Sequence, residues 1–132
     1  MKMSVTNGVH HIGLAVSKLE ESAEFFTKLL GWEEVKRRED YPAIFVKDDS
    51  LMITLWKTQT EEPAKFDRKT NIGLHHLALR VNSQESMYHL LAVLKENQIE
   101  IEFEPTLRGE GPSMHMMCYE PSGIRVEFYY AA

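Results

Sequence analysis

A single cysteine, Cys118, stands in the 132 residues. No intrachain disulfide can form, and an isolated thiol is compatible with a reducing cytoplasm. Lying beside Met116 and Met117 in an apolar stretch, it is expected to pack rather than to react. Positive charge is also scarce, with 15 Lys and Arg against 20 Asp and Glu and a formal net charge of −5. The one basic cluster, Lys36-Arg37-Arg38, is answered at once by Glu39-Asp40 and reads as a solvated strand. That balance excludes nucleic acid as a partner. No apolar run reaches membrane length, and the N-terminus lacks the apolar core of a secretory signal. A cytoplasmic protein with no membrane partner is therefore expected. The 43% hydrophobic content is enough for the core of one compact domain built from two half-size modules.

What the chain does have is a repeat. Val9–Val16, VHHIGLAV, is rewritten half a chain later as Leu74–Val81, LHHLALRV. Each copy has a His-His pair, then alternating aliphatics, then a helix-like segment, and such self-similarity governs the whole fold. Residues two apart in a strand share a face. Ile12, Leu14 and Val16 form one apolar set, as do Leu77, Leu79 and Val81. His11, Gly13 and Ala15, and again His76, Ala78 and Arg80, occupy the other face, where small residues leave room beside an imidazole. A lone His-His pair would read as an ordinary strand edge; recurrence at the same parity argues for a function.

The element order repeats as well. Ser17-Lys18-Leu19-Glu20 has capping-box form, with Leu19, Ala23, Phe26 and Leu30 at helical spacing and Gly31 as the stop. Strands follow at Glu33–Arg38, Ala43–Lys47 and Leu51–Lys57, separated by Tyr41-Pro42 and Asp48-Asp49-Ser50 turns. In the second half a helix over Gln84–Asn97 carries Met87, Leu90, Leu91 and Leu94 on one face. Strands near Ile99–Glu104, Ser113–Tyr119 and Ile124–Tyr130 come after it, the last two joined by the Glu120-Pro121-Ser122-Gly123 turn. The glycine-bearing loop Pro105–Pro112 has the composition of a substrate lid. The expected fold is α+β: two βαβββ modules (about residues 8–57 and 73–130, joined by a polar connector over 58–72) forming a concave mixed sheet with helices on the outer face.

The last strand adds a carboxylate. Arg125, Glu127 and Tyr129 share one parity, and a carboxylate among apolar neighbours is costly to bury unless something positive meets it. A divalent ion held by His11, His76 and Glu127 would do so. Two imidazoles and one carboxylate leave coordination positions open and suit iron(II), and by donor type also manganese, nickel or zinc.

Three motifs make the chain resemble the vicinal-oxygen-chelate proteins, the glyoxalase, bleomycin-resistance and extradiol-dioxygenase superfamily. They are His11-Ile-Gly-Leu-Ala-Val leading to Phe25-Phe26-Thr-Lys-Leu-Leu-Gly31-Trp, His76-Leu-Ala-Leu-Arg-Val, and Glu120-Pro-Ser-Gly-Ile-Arg-Val-Glu127-Phe. The resemblance spans nearly the whole chain. It implies metal ligands at His11, His76, Thr54 and Glu127, and a homodimer. Thr54 departs from the pattern, because glyoxalase I and its epimerase relatives carry Glu or Gln there, and a threonine hydroxyl is neither a good ligand nor a base near neutral pH. Met117 departs too, standing where extradiol enzymes have a tyrosine; Tyr119 lies two residues further on, at the same parity as His115.

The implied activity is that of a small metalloenzyme, a lyase, isomerase or oxidoreductase of the dioxygenase type. The ion would chelate two adjacent oxygens of a small-molecule substrate and stabilise the negative charge that develops there. His115 and Tyr119 are the candidate catalytic residues, with Thr54, Trp56, Arg80, Met117 and Arg125 lining the substrate. The rival is a metal-free, drug-sequestering protein of the bleomycin-resistance type, with Trp32, Trp56, Tyr129 and the Met-rich strand as walls. Retention of His11, His76 and Glu127 favours the enzyme.

Overall fold

The computed structural model describes residues 3–132. The chain divides into two compact units, one running to Gln59 and the other Thr60–Ala132. Each carries a four-stranded mixed sheet, and the two sheets have the same topology.

In the first unit β1 (His11–Val16) leads into α1 (Leu19–Glu24), and β2 (Glu33–Arg38), β3 (Ala43–Lys47) and β4 (Met52–Lys57) follow, with the order β1-β4-β3-β2 across the sheet. β1 lies parallel to β4 because a helical crossover returns the chain to the same sheet end, whereas β2, β3 and β4 form antiparallel hairpins. The alternation read from the sequence holds: Leu14 and Val16 are buried, and His11, Gly13 and Ala15 are exposed. Helix α1 is short and ends differently from the expectation. Its N-cap is Lys18 rather than Ser17, with no side-chain cap bond, so the capping box does not form. From Phe25 the backbone widens into a π turn, Phe25–Leu29, marked by the Leu30 N–H bond to the Phe25 carbonyl at 3.2 Å. The buried face therefore comprises Ser22, Ala23, Phe25 and Phe26, while Leu30 is only half-buried. Gly31 takes φ +77°, which lets Trp32 N–H reach the Phe26 carbonyl at 2.9 Å in a Schellman-type stop.

In the second unit β5 (Leu77–Arg80), α2 (Gln84–Glu96), β6 (Glu100–Leu107), β7 (Met114–Tyr119) and β8 (Arg125–Tyr130) repeat the plan, ordered β5-β8-β7-β6. Helix α2 is capped as its sequence requires: the Ser83 side chain accepts from Ser86 N–H, and Met87, Leu91 and Leu94 are buried. Two boundaries move by three residues, the others by one at most. β5 begins at Leu77, so His75 and His76 lie just before the strand rather than inside it. β6 runs through Pro105 to Leu107, which an irregular, bulged pairing with β7 permits. The proposed lid thus shrinks to a tight connection, closed by Arg108 N–H to the Ser113 carbonyl at 2.8 Å. At the β7–β8 turn the buried Glu120 carboxylate accepts from Ser122 and Ile124 N–H, and Gly123 takes φ +92°. No helix among the described residues is long and apolar enough to cross a membrane.

Candidate metal and acid–base site

Register builds the site in the second unit. Ala78 pairs with Glu127 and Arg80 with Tyr129 across the parallel β5–β8 ladder. Across β7–β8, His115 pairs with Tyr129, Met117 with Glu127, and Tyr119 with Arg125. All of these share one sheet face. Glu127 is only 8% exposed, a costly position for a carboxylate unless both oxygens are met. Both are. His76 Nε2 lies 3.2 Å from Oε1, and His115 Nδ1 lies 2.5 Å from Oε2. The His115 ring is itself held edge-on by Phe103, with centroids 4.9 Å apart.

A second polar cluster adjoins these residues in sequence. Arg125 grips Glu102 through two bonds of 2.9 and 2.8 Å, the Tyr119 hydroxyl donates to the same carboxylate, and Arg68 donates to the Tyr119 oxygen at 3.2 Å. The Arg125 hydrogen bonds, helped by Tyr119 and opposed by burial, push Glu102 down to about 2. A carboxyl whose folded value lies below its unfolded one stabilises the fold above the unfolded value and loses that contribution as the pH falls through the folded one. Glu102→Gln is therefore expected to lose about 1–3 kcal/mol at neutral pH. In urea unfolding the difference from wild type should shrink between about pH 5 and pH 2.

The first unit carries the equivalent positions with different chemistry. Gly13 pairs with Thr54 as Ala78 pairs with Glu127, so Thr54 is the sheet counterpart of Glu127 and His11 the counterpart of His76. Thr54 is buried, and its hydroxyl accepts the Trp56 indole N–H at 2.9 Å. A Cβ at Gly13 would stand 3.3 Å from that hydroxyl, which accounts for the small residue there. Tyr41 and Phe45 flank Trp56 at 5.1 and 5.7 Å, with Lys36 over the Phe45 ring and Arg38 over the Trp56 ring. Trp32 packs on Phe26 and serves the core.

Of the residues singled out in the sequence, His76, Glu127 and His115 come together, with Met117 on the strand beside them. Tyr119 and Arg125 are instead committed to Glu102. Arg80 is exposed and forms no ion pair among the described residues. His11 is exposed at the start of β1, its Nδ1 2.9 Å from His10 Nδ1. Sequence reasoning missed Glu102 and Arg68. Glu102 had only the alternation of Glu100, Glu102 and Glu104 as a signal, and Arg68, in the connector, had none. Cys118 is fully buried, and burial pushes its thiol up to about 12, in keeping with a packing role.

Among the described residues no three His, Cys, Asp or Glu side chains form a ready-made cage for an ion. The His76–Glu127 pair nonetheless fits one. Two donors each about 2.1 Å from an ion and at right angles are about 3 Å apart, close to the 3.2 Å between Nε2 and Oε1.

The model of the Glyoxalase/Bleomycin resistance protein/Dioxygenase superfamily matches residues 8–128. The chain belongs to this superfamily. Within it, the chain is 29% identical over 122 residues to a trivalent organoarsenical cleaving enzyme of Bacillus sp. (strain MD1), a match covering 91% of this chain and 71% of the relative. It is 25% identical over 124 residues to the metapyrocatechase of Geobacillus stearothermophilus, covering 90% of this chain and 36% of that enzyme. The chain thus spans little more than a third of that second relative. Among solved structures, a glyoxylase/bleomycin resistance protein/dioxygenase domain from Frankia sp. EAN1pec has a TM-score of 0.83 and 24% identity, covering 96% of this chain and 99% of that one. That likeness establishes the shared fold. The superfamily includes enzymes, and its members generally use divalent metals and bind small molecules.

Proposed function

We propose that the protein is a metal-dependent enzyme of the superfamily, acting on a small molecule with two adjacent oxygen atoms. His76 and Glu127 are the ligands that the second unit supplies, and His115 is the acid–base group. The observation that carries this reading is the Glu127 carboxylate, buried with His76 Nε2 on one oxygen and His115 Nδ1 on the other. When bound, iron(II), manganese, nickel or zinc supplies Lewis acidity to the substrate oxygens. The chain's own contribution is proton handling and orientation. His115 holds or accepts a proton at Nδ1 against Glu127 Oε2. Phe103 keeps that ring in place. Thr54, with its hydroxyl engaged by Trp56, supplies no base, which argues against a glyoxalase I reaction and leaves dioxygenase or other lyase chemistry.

An organoarsenical substrate is disfavoured by the residues. Trivalent arsenic is a soft, thiol-seeking centre, and soft centres select thiolates. The one thiol here is buried and pushed up to about 12, so it is neither accessible nor a thiolate near neutral pH. A metal-free ligand-binding protein draws support from the Tyr41, Phe45 and Trp56 rings, which form an aromatic shelf. By family likeness we also propose a cytoplasmic homodimer.

Metal analysis by mass spectrometry on untagged protein tests the reading. Near-stoichiometric iron, manganese, nickel or zinc is expected, with oxygen uptake on a catechol as the first assay when iron or manganese is found. Protein that arrives metal-free and takes up none of the four ions on titration would overturn it in favour of the ligand-binding alternative.

A further inference from the structure

We propose that Arg80, with the Tyr129 hydroxyl beside it, is a subsite for a carboxylate of the substrate, so that the substrate is an acid. Strand parity puts Arg80 where it can serve. Leu77 and Leu79 are buried, which turns Ala78 and Arg80 to the opposite face of β5. That face is the one carrying Glu127, because Ala78 pairs with Glu127 and Arg80 with Tyr129. Tyr129 in turn pairs with His115, their ring centroids 6.0 Å apart. Arg80, Tyr129 and His115 thus form one row across three strands, and Ala78, Glu127 and Met117 form the next.

The other cations of this unit's polar cluster are spent. Arg125 gives two nitrogens to Glu102, and Arg68 donates to the Tyr119 oxygen and lies 3.8 Å from Glu102. The Arg80 side chain has no ion pair or hydrogen bond among the described residues, and neither has the Tyr129 hydroxyl. On the diagonal from Arg80 stands Glu127, whose two oxygens already face His76 and His115. A guanidinium carries only donors, and this one, beside a phenol and one row from the proposed ligands, is set to receive an oxyanion from outside the chain. Its planar fork suits a carboxylate. A phosphate dianion would call for a second cation, and the nearby arginines are held by Glu102 and Tyr119.

Spacing narrows the substrate. Diagonal neighbours on one sheet face are about 7–8 Å apart, and the small Ala78 beside Glu127 puts no side chain in the way. The carboxylate held by Arg80 is then separate from the two adjacent oxygens rather than one of them. That favours a dihydroxylated aromatic acid over a 2-hydroxy acid, whose carboxylate would itself chelate. The inference rests on the proposed metal site only for which end of the substrate is chelated. Recognition of the carboxylate belongs to Arg80 and persists in the metal-free chain.

Isothermal titration calorimetry of 3,4-dihydroxybenzoate against the uncharged 3,4-dihydroxybenzamide, on metal-free and zinc-loaded protein, tests the inference. Wild type, Arg80→Met and Arg80→Lys are compared; Arg80 is exposed, so neither substitution disturbs the core. Wild type should bind the acid about 10-fold more tightly than the amide, the low end for a charge-assisted hydrogen bond because Arg80 is exposed. Arg80→Met should bind both compounds as wild type binds the amide. Arg80→Lys should retain part of the preference, since the charge remains without the fork. Wild type that takes up zinc and binds the two compounds alike would overturn the subsite and leave the metal reading standing. An Arg80→Met protein that keeps the preference would overturn the subsite too, as would wild type that binds neither compound with zinc or without. Protein that takes up no zinc yet prefers the acid through Arg80 would overturn the metal reading and leave the subsite in place.

Discussion

Glu127→Ala is expected to abolish stoichiometric metal binding, weakening affinity by at least about 100-fold, and to abolish turnover with it. Removal of a ligand costs more than loss of an outer partner, for which a tenfold to hundredfold loss is typical. The substitution also leaves His76 and His115 without the carboxylate that each now faces at 3.2 and 2.5 Å. His115→Asn separates the two roles of the cluster. It retains a polar side chain beside Glu127 but no group that can take up and release a proton, so it should keep the ion while kcat falls about 100- to 10,000-fold, the usual contribution of a positioned acid–base group. Metal content measured beside single-turnover rates checks both. A Glu127→Ala protein that retains one tightly held ion would remove Glu127 from the ligand set.

Phe26→Ala is expected to be the most damaging core substitution, costing about 3–5 kcal/mol. Phe26 is completely buried, packs edge-on against Phe25 at 5.2 Å, and carries the Trp32 ring at 5.0 Å. Its carbonyl also receives the Trp32 N–H that closes the helix. Truncation opens a cavity where the π turn leaves little freedom to collapse, and total stabilities of such chains are only about 5–15 kcal/mol. Val35→Thr, on the exposed strand β2, should change stability by less than about 0.5 kcal/mol. Urea unfolding at neutral pH compares the two. A Phe26→Ala midpoint close to that of Val35→Thr would mean that the first unit has no tightly packed core.

Much of the architecture was legible in the sequence because it rests on short periods. Alternation at Ile12–Val16 and at Leu77–Arg80 placed the right residues inside, since a strand cannot turn one side chain without turning the next. The doubled element order is that of both sheets. Helix α2 begins at Gln84, where the sequence put it, because Ser83 and the apolar face of Met87, Leu91 and Leu94 act within one helix. Local signals failed where longer-range contacts compete with them. At Ser17 the capping pattern was present, yet the chain turns one residue later and Lys18 takes the cap position. Around Pro105 composition argued for a loop, but pairing with β7 extends the strand to Leu107.

The candidate site divides along the same line. The sequence by itself determined the family and the face to which His11, His76, His115 and Glu127 belong, because parity is a local property of the backbone. Only the tertiary structure decided how those residues are used. Cross-strand register set His115 and His76 on opposite oxygens of Glu127. Side-chain reach drew Tyr119 and Arg125 to Glu102 and brought Arg68 to Tyr119 from 51 residues away along the chain. Hydrogen bonds and ion pairs between distant segments depend on ångström-scale placement of side-chain atoms, and no period in the sequence encodes that.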